Sequence, residues 1–233
     1  MKQILTYISP TKDFNEEHKM AVKIQIDNSL SLGWDIEDVL LITNFKYEYN
    51  GIQSHIIEDD NYCQHNFPAT KIYVIDYLFR NGLIKDEVYW YHDFDCFQLN
   101  PFGDVEFADV GLTNYGRMPR LCSASIFFKK TAEDIFKRLK EKVDADKVNE
   151  EVGMMRLLSS NPDLKERVSL LNITYAFHKF NLRSCYKIVD RPIKAVHFHL
   201  TSDKYDFYVR GINKLNMVLI PERLIKIFNQ NGF

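Results

Sequence analysis

Strand-like apolar runs and helix-like apolar periods alternate along the chain. Continuous apolar stretches predict strands over 3–8 and 39–43, and the second is typical of a strand buried on both faces. Between them, apolar residues recur every fourth position over 22–30, which predicts an amphipathic helix. Asp13 and Glu16 have the spacing of a capping box, so Asp13 is the expected N-cap of that helix.

The remaining elements continue this alternation. Further strands are predicted over 52–57, 87–92, 108–113, 124–128 and 195–200. Further helices are predicted over 70–80, 131–143, 150–159 and 222–228. Strands that alternate with helices favour an α/β layer fold, and 233 residues suit one domain. We therefore expect a single α/β domain over 1–233, with a central, mostly parallel sheet flanked by helices.

Composition and charge exclude several classes of protein. With 45% hydrophobic and 27% charged residues, the chain is expected to build a full core rather than to be disordered. A net charge of −2 lacks the basic excess of a general nucleic-acid binder, so no nucleic-acid partner is expected. No apolar run approaches the ~20 residues of a membrane span, and the first residues do not resemble a signal peptide. These features favour a soluble, cytoplasmic protein.

The four cysteines stand far apart, at positions 63, 96, 122 and 185. They form neither a C-x-x-C pair nor the dense framework of a disulfide-stabilised domain. We expect reduced thiols.

Two aspartates follow the predicted strand 87–92 directly. Asp93 and Asp95 are separated by one apolar residue, and carboxylates so close repel each other unless a cation lies between them. Mg²⁺ and Mn²⁺ are held by one or two carboxylates and by substrate phosphates. The pair therefore predicts a metal site at the carboxyl end of a strand, where ligands bind in α/β sheets. The alternative is a solvated acidic turn.

The stretch Tyr91-His92-Asp93-Phe94-Asp95, with Pro101-Phe102 after it, resembles the Asp-x-Asp region of the GT-A class of glycosyltransferases. The opening Leu5-Thr6-Tyr7-Ile8-Ser9-Pro10 resembles the first strand and nucleotide loop of that class, in its small bacterial or algal-virus forms. The resemblance implies a nucleotide-sugar donor, most often a UDP-sugar, Mn²⁺ or Mg²⁺ as cofactor, and an oligosaccharide or glycoprotein glycan as acceptor. It also implies a donor-binding half over about 1–100 and an acceptor-binding half over about 101–233.

The resemblance carries roles to individual residues. Asp95 would ligate the metal directly, and Asp93 would reach the ribose or the metal through water. Thr6 and Tyr7 would contact the base, with Tyr7 as a stacking partner. Lys71 would approach the donor from the start of its helix, the alternative being an exposed helix lysine.

Two late histidines are candidates for a further metal ligand of the kind that many members of the class use. Strand alternation puts His197 and His199 on one face of the predicted strand 195–200. Spacing does not choose between them, although His197 is slightly closer to the family pattern, and both can instead be structural. Lys204 would bind the diphosphate.

Glu150 and Glu151 resemble the acidic residues that handle the acceptor hydroxyl in many members. In an inverting enzyme one such carboxylate is the general base, and no motif decides between inversion and retention here. The alternative is stabilisation of a helix start, where the helix dipole favours acids. Asn114 and Ser123, at predicted strand ends, are candidates to line the acceptor pocket.

Other enzyme classes fit less well. No glycine lies in 9–13, which disfavours a sugar nucleotidyltransferase, and no phosphate-binding or dinucleotide-binding glycine motif indicates a P-loop kinase or a Rossmann dehydrogenase. A metal-dependent phosphohydrolase and a non-catalytic carbohydrate-binding module stay as alternatives.

Overall fold

A computed structural model of the protein describes residues 1–58, 61–116, 118–178, 186–198 and 220–232. Its strands are β1 (Lys2–Tyr7), β2 (Val39–Thr43), β3 (Glu48–Tyr49), β4 (Ile52–Ile56), β5 (Tyr89–His92), β6 (Cys96–Gln98), β7 (Val110–Tyr115), β8 (Met118–Phe128), β9 (Val168–Leu170), β10 (Phe177–His178) and β11 (Ala195–His197). Its α-helices are α1 (Glu16–Ser31), α2 (Thr70–Arg80), α3 (Glu133–Asp146), α4 (Glu150–Ser160), α5 (Pro162–Lys165) and α6 (Glu222–Gln230). Single 3-10 turns lie at Ile36–Asp38, Phe67–Ala69, Lys130–Ala132 and Ile173–Tyr175.

The main sheet has eight strands in the order β3-β4-β2-β1-β5-β8-β7-β9. Strands β4, β2, β1 and β5 run parallel, whereas β8 is antiparallel to both β5 and β7. Because β9 is parallel to β7, six of the eight strands share one direction, and β3 and β8 oppose it. The predicted α/β domain with a mostly parallel central sheet is confirmed.

Both faces of this sheet are covered by helices, as strand β1 illustrates. Its neighbouring residues Ile4 and Leu5 are fully buried, but they point to opposite faces. Ile4 packs in the core that contains Ile72 of α2 and Leu139 of α3, while Leu5 packs with Val22 of α1. Each such side chain contributes about 1.5–3 kcal/mol by leaving water. Burial on both sides explains why the central strands are continuous apolar runs.

Helix starts depend on short polar side chains. Helix α1 begins after Asn15, whose side chain accepts a hydrogen bond from the backbone N–H of His18 (3.0 Å), so the predicted cap at Asp13 is wrong. Asn and Asp cap helices equally well, and the spacing of Asp13 to Glu16 alone does not separate them. Helix α4 begins in the same way after Asn149, which caps the N–H of Val152 at 2.9 Å.

A close contact between α3 and α4 requires a glycine. A Cβ atom on Gly153 would lie 2.8 Å from Cγ2 of Val143 and 3.2 Å from Cδ1 of Leu139. The absence of a side chain therefore lets α4 approach α3 and directs the start of α4 toward the main sheet. Helix α4 also contacts β8.

A second, three-stranded sheet has the order β10-β11-β6. Strand β10 pairs in parallel with β11, so that His178 lies opposite His197. Only β11 was predicted, because β6 and β10 have three and two residues and are too short for a periodic signal. No helix in the described part of the chain is long and apolar enough to cross a membrane.

Candidate active site

A cavity of about 310 Å³ opens at the carboxyl ends of β1 and β5. Four of the predicted site residues that line it are Thr6, Tyr7, Asp93 and Asp95, and Lys71 of α2 closes one side. The rest of its lining is mostly apolar and consists of Ile8, Glu17, His18, Met20, Ala21, Ile24, Phe67, Pro68, Thr70, Tyr91, Phe94 and Phe97. The fold thus brings residues from three predicted elements to one pocket at the edge of the sheet where ligands bind in α/β folds.

Backbone hydrogen bonds fix the turn that carries the two aspartates. The N–H of Cys96 donates to the carbonyl of Asp93 at 2.9 Å. The buried amide of Gln25, on α1, donates to the carbonyl of Phe94 (2.8 Å) and to that of Cys96 (3.2 Å). These contacts hold the turn rigidly, so the carboxylates of Asp93 and Asp95 are positioned before any ligand arrives.

Asp93, Asp95 and His197 bring three ligand atoms within 4.8 Å of one another. His197 Nε2 lies 3.3 Å from Asp95 Oδ2, and the N–H of Phe198 donates to the carbonyl of Asp95 at 2.9 Å. Two carboxylates and one imidazole form a donor set that suits Mn²⁺, with Mg²⁺ favoured by the carboxylates alone. The residues therefore fit a divalent cation.

The electrostatics of this group agree with a shared cation site. Burial raises the pKa of Asp93, and the Asp95 carboxylate raises it further, against the lowering effect of Lys71. Burial lowers the pKa of His197, but the Asp95 carboxylate raises it to about 10.

Lys71 is buried, not exposed as the alternative interpretation had it. Its ammonium lies 2.7 Å from the Asp93 carboxylate and 3.3 Å from Glu150, and it also contacts the hydroxyl of Ser123 at 3.3 Å. Burial lowers the pKa of Lys71, but Asp93 and Glu150 raise it well above its usual value. Lys71 therefore joins the aspartates of β5 to the start of α4.

Glu150 and Glu151 are both buried at the first turn of α4. Ser123 donates its hydroxyl to Glu150 Oε1 at 2.6 Å, while Glu151 accepts from the Tyr115 hydroxyl (2.7 Å) and from Arg120 Nε (2.9 Å). Burial raises the pKa of Glu150, but Lys71 and Ser123 lower it more, which keeps the carboxylate ionised. Glu150 Oε2 is buried and accepts no hydrogen bond from the described residues.

Thr6 and Tyr7 end β1 at the opposite side of the cavity. Thr6 Oγ1 is buried and has no hydrogen-bond partner among the described residues. The Tyr7 hydroxyl lies 2.6 Å from Nδ1 of His18, and its ring packs against Phe14 and Phe94. Burial, helped by nearby carboxylates, raises the pKa of Tyr7 to about 12. This corner combines aromatic faces with polar groups, as a nucleobase requires.

The remaining predicted residues lie away from the cavity or outside the described part of the chain, and one residue at the site was not predicted. His199 and Lys204 lie outside the described residues. Asn114 accepts a hydrogen bond from the N–H of Gly116 at 2.9 Å, a local contact at the end of β7. His18 was missed, and no pattern in the sequence singles it out, because its partner Tyr7 comes from another element.

No protein-family model and no curated protein matches the chain. Several solved structures do match the chain. A glycosyltransferase involved in the glycosylation of the major capsid of PBCV-1 is 12% identical, with a TM-score of 0.55, over 91% of this chain and 99% of that one. The galactosyltransferase LgtC, in complex with donor and acceptor sugar analogs, is 11% identical, with a TM-score of 0.57, over 97% and 100%.

The glycosyltransferase GlyE of Streptococcus pneumoniae TIGR4 is 10% identical, with a TM-score of 0.58, over 98% of this chain and 63% of its own length. The three matches cover 91%, 97% and 98% of this chain. The chain therefore has the GT-A fold of the glycosyltransferases.

Proposed function

We propose that the protein transfers a sugar from a nucleotide-sugar, with UDP as the nucleotide, to a hydroxyl group of an oligosaccharide or glycoprotein glycan. One observation carries this proposal: the cavity of a GT-A fold is lined by Asp93 and Asp95 at the carboxyl end of β5, with His197 beside them. A carboxylate pair at this edge suits the diphosphate of a nucleotide-sugar only when a divalent cation lies between them.

On the donor side, Asp93, Asp95 and His197 would hold Mn²⁺ or Mg²⁺. When bound, the ion neutralises the charge of the diphosphate leaving group. Thr6 and Tyr7 would bind the base, since Thr6 Oγ1 has a free hydrogen-bonding capacity and Tyr7 offers an aromatic face. Lys71, which lines the cavity, would hold Asp93 in place and add positive charge near the diphosphate. Lys204 stays a further candidate for the diphosphate.

On the acceptor side, Glu150 does not line the cavity itself but contacts Lys71, which does. Its Oε2, to which no described residue donates, would accept a hydrogen bond from an attacking hydroxyl that reaches past Lys71. Glu151, held by Tyr115 and Arg120, would fix the start of α4 and orient Glu150. With these roles, the donor-binding residues would come mainly from about 1–100 and the acceptor-binding residues from about 101–233.

A donor-hydrolysis screen tests this function. Sugar transferases slowly use water as acceptor, so the protein is incubated with UDP-, GDP- and other nucleotide-sugars and Mn²⁺, with and without a chelator, and the free nucleotide and sugar are quantified. We expect release of UDP and free sugar from one UDP-sugar, and loss of release with the chelator.

Two variants sharpen the screen. Asp95→Asn removes a charge at the site and should lower release at least about 100-fold, because transition-state electrostatics contribute on this scale. Asp134→Asn removes a carboxylate from a surface ion pair with Arg167 and should leave release unchanged. A sugar phosphate with a nucleoside monophosphate among the products would indicate a phosphohydrolase, and no release with any donor would favour a binding module.

A further inference from the structure

Cys122, His178 and His197 meet in a buried cluster behind the candidate active site. Cys122 Sγ lies 3.2 Å from His178 Nε2 and 3.9 Å from His197 Nδ1, and the two ring nitrogens are 3.4 Å apart. The three residues are 0%, 2% and 4% exposed, respectively. We propose that these three residues form a second metal site that binds Zn²⁺, separate from the carboxylate site of Asp93 and Asp95.

The spacing of the three atoms matches zinc. Tetrahedral Zn²⁺ has bonds of about 2.3 Å to sulfur and about 2.0–2.1 Å to nitrogen, so neighbouring ligand atoms lie about 3.3–3.6 Å apart. The observed separations of 3.2, 3.4 and 3.9 Å bracket this range. Side chains that move by a few tenths of an ångström would therefore supply three of the four ligands, and a water molecule would take the fourth position.

A carboxylate orients one of the three ligands. His197 Nδ1 faces Cys122 and His178, while its Nε2 lies 3.3 Å from Asp95 Oδ2. Zinc-bound histidines almost always donate their other ring N–H to a carboxylate or carbonyl, which fixes the tautomer and the ring plane. Asp95 stands in that position.

The ligand chemistry separates this site from its neighbour. Thiolate and imidazole favour Zn²⁺, whereas Mg²⁺ and Mn²⁺ prefer oxygen ligands such as those of Asp93 and Asp95. Binding of zinc would release the thiol proton of Cys122, and the proton on Nδ1 of a protonated His197, to solvent. Because all three ligands are buried, the ion should exchange slowly and stay bound through purification.

The fold assembles these ligands from two sheets. His178 and His197 are register partners in the parallel pair β10–β11. Cys122 comes from β8, where pairing with β7 shifts from Leu112–Ile126 to Thr113–Cys122. Such a shift in strand register changes the direction of the side chains and is common beside functional sites. The zinc would thus link the small sheet to the main sheet.

The site changes the expected role of His197. With zinc on Nδ1, its Nε2 would carry a proton and donate to Asp95, so zinc binding and ligation of the active-site cation by His197 exclude each other. Asp93 and Asp95 would then hold that cation without the imidazole. This consequence rests on the proposed function, whereas the zinc site itself does not.

Cobalt replacement tests the site without any turnover. The full chain is stripped with a chelator and titrated with Co²⁺, and the thiolate-to-Co²⁺ charge-transfer band is recorded together with the stoichiometry. Cys122→Ser and His178→Gln are compared with Cys63→Ser, a matched control in which a buried cysteine lies 3.4 Å from a single histidine, His65. Asp93→Asn, which changes only the carboxylate site, is the second control.

We expect one tight Co²⁺ with a charge-transfer band in the wild type, in Cys63→Ser and in Asp93→Asn. The band should vanish in Cys122→Ser, and the affinity should fall at least about 10-fold in His178→Gln, as for loss of a ligand or its support. Circular dichroism checks folding, and His178→Gln keeps the thiol if Cys122→Ser misfolds. A folded wild type without the band, or a band that survives in Cys122→Ser, would overturn the proposal.

Discussion

Opposite edges of the main sheet each carry one cation between two carboxylates. At the carboxyl edge, Lys71 lies 2.7 Å from Asp93 and 3.3 Å from Glu150. At the amino edge, just before β7 and β9, Arg167 lies 2.6 Å from Asp109 and 2.7 Å from Asp134. The charges are arranged alike, but the Lys71 side chain is 4% exposed and that of Arg167 34%.

The difference in burial distinguishes the two clusters, one as functional and the other as structural. An exposed ion pair is partly solvated and worth little, about 0–1 kcal/mol. A buried one loses its hydration and is often no more stabilising than an apolar replacement, so its presence indicates a use other than stability. We interpret the Arg167 cluster as a clamp between β7, β9 and α3, and the Lys71 cluster as part of the chemistry.

Lys71→Met should have the largest effect on folding. It leaves Asp93 and Glu150 without their cation, and breaking a buried pair in this way costs about 3–5 kcal/mol. Arg167→Met, the matched change at the other edge, should cost about 1 kcal/mol, because water replaces the lost contacts. Urea unfolding at neutral pH measures both. Equal losses for the two variants would show that burial does not separate the clusters.

The double variant Lys71→Met with Glu150→Gln is the control for this interpretation. Removing one of the two carboxylate charges that Lys71→Met leaves unpaired should restore part of the lost stability. The double variant should therefore be more stable than Lys71→Met alone. If the double variant loses as much stability as the two single variants together, or more, the loss comes from packing around Lys71 and not from the unpaired carboxylates.

Glu150→Gln should reduce donor hydrolysis about 100-fold, at the lower end of what a general base contributes. Glu133→Gln makes the same change at the first residue of another helix, α3, and should have little effect. The free-nucleotide assay at saturating donor measures both. If both variants reduce donor hydrolysis only slightly, Glu150 stabilises the start of its helix through the helix dipole and has no catalytic role.

Asp109→Asn should destabilise the protein by about 1 kcal/mol at pH 7. Burial raises the pKa of Asp109, but the hydroxyl of Thr131 and the guanidinium of Arg167 lower it more. The lowered pKa in the folded state means that this stability is present above the unfolded value of about 3.9 and is lost as the pH falls further. Urea unfolding at pH 7 and near pH 3 should therefore show the difference from wild type shrinking in acid. A constant difference would contradict the charge-based account.

Added salt should have the smallest effect on stability, and it should weaken only the exposed Arg167 cluster at the amino edge of the sheet. At about 1 M salt the screening length is about 3 Å, which weakens exposed charge pairs but affects buried ones far less. The stability difference between wild type and Arg167→Met should shrink in sodium chloride, by less than about 1 kcal/mol. The difference between wild type and Lys71→Met should stay. If both shrink alike, the two clusters are equally solvated.

The main sheet and its helices could be predicted because their signals are local. Val39–Thr43 is a continuous apolar run, and α3 has a clear helical period, so both were recognised. Asp93 and Asp95 were found because they are neighbours in the sequence. The structure brings His197 Nε2 to within 3.3 Å of Asp95 Oδ2, and the role of each residue at the site stays a prediction.

The rest depends on contacts that no local pattern contains. Cys122 and His178 meet although 56 residues separate them. The burial of Lys71 follows from the approach of α4, which brings Glu150 to it, and not from the apolar period of its own helix. Strands of two or three residues, such as β10, form because the neighbouring strand is already in place.

The most direct test of the account is calorimetry of UDP binding to wild type and to Asp95→Ala, with and without Mn²⁺. The account predicts that the wild type binds UDP only when Mn²⁺ is present, and that Asp95→Ala shows no Mn²⁺-dependent binding while its unfolding transition is retained. Mn²⁺-dependent binding of equal affinity in Asp95→Ala, or wild-type binding that ignores the metal, would contradict the central role given to the carboxylates of β5.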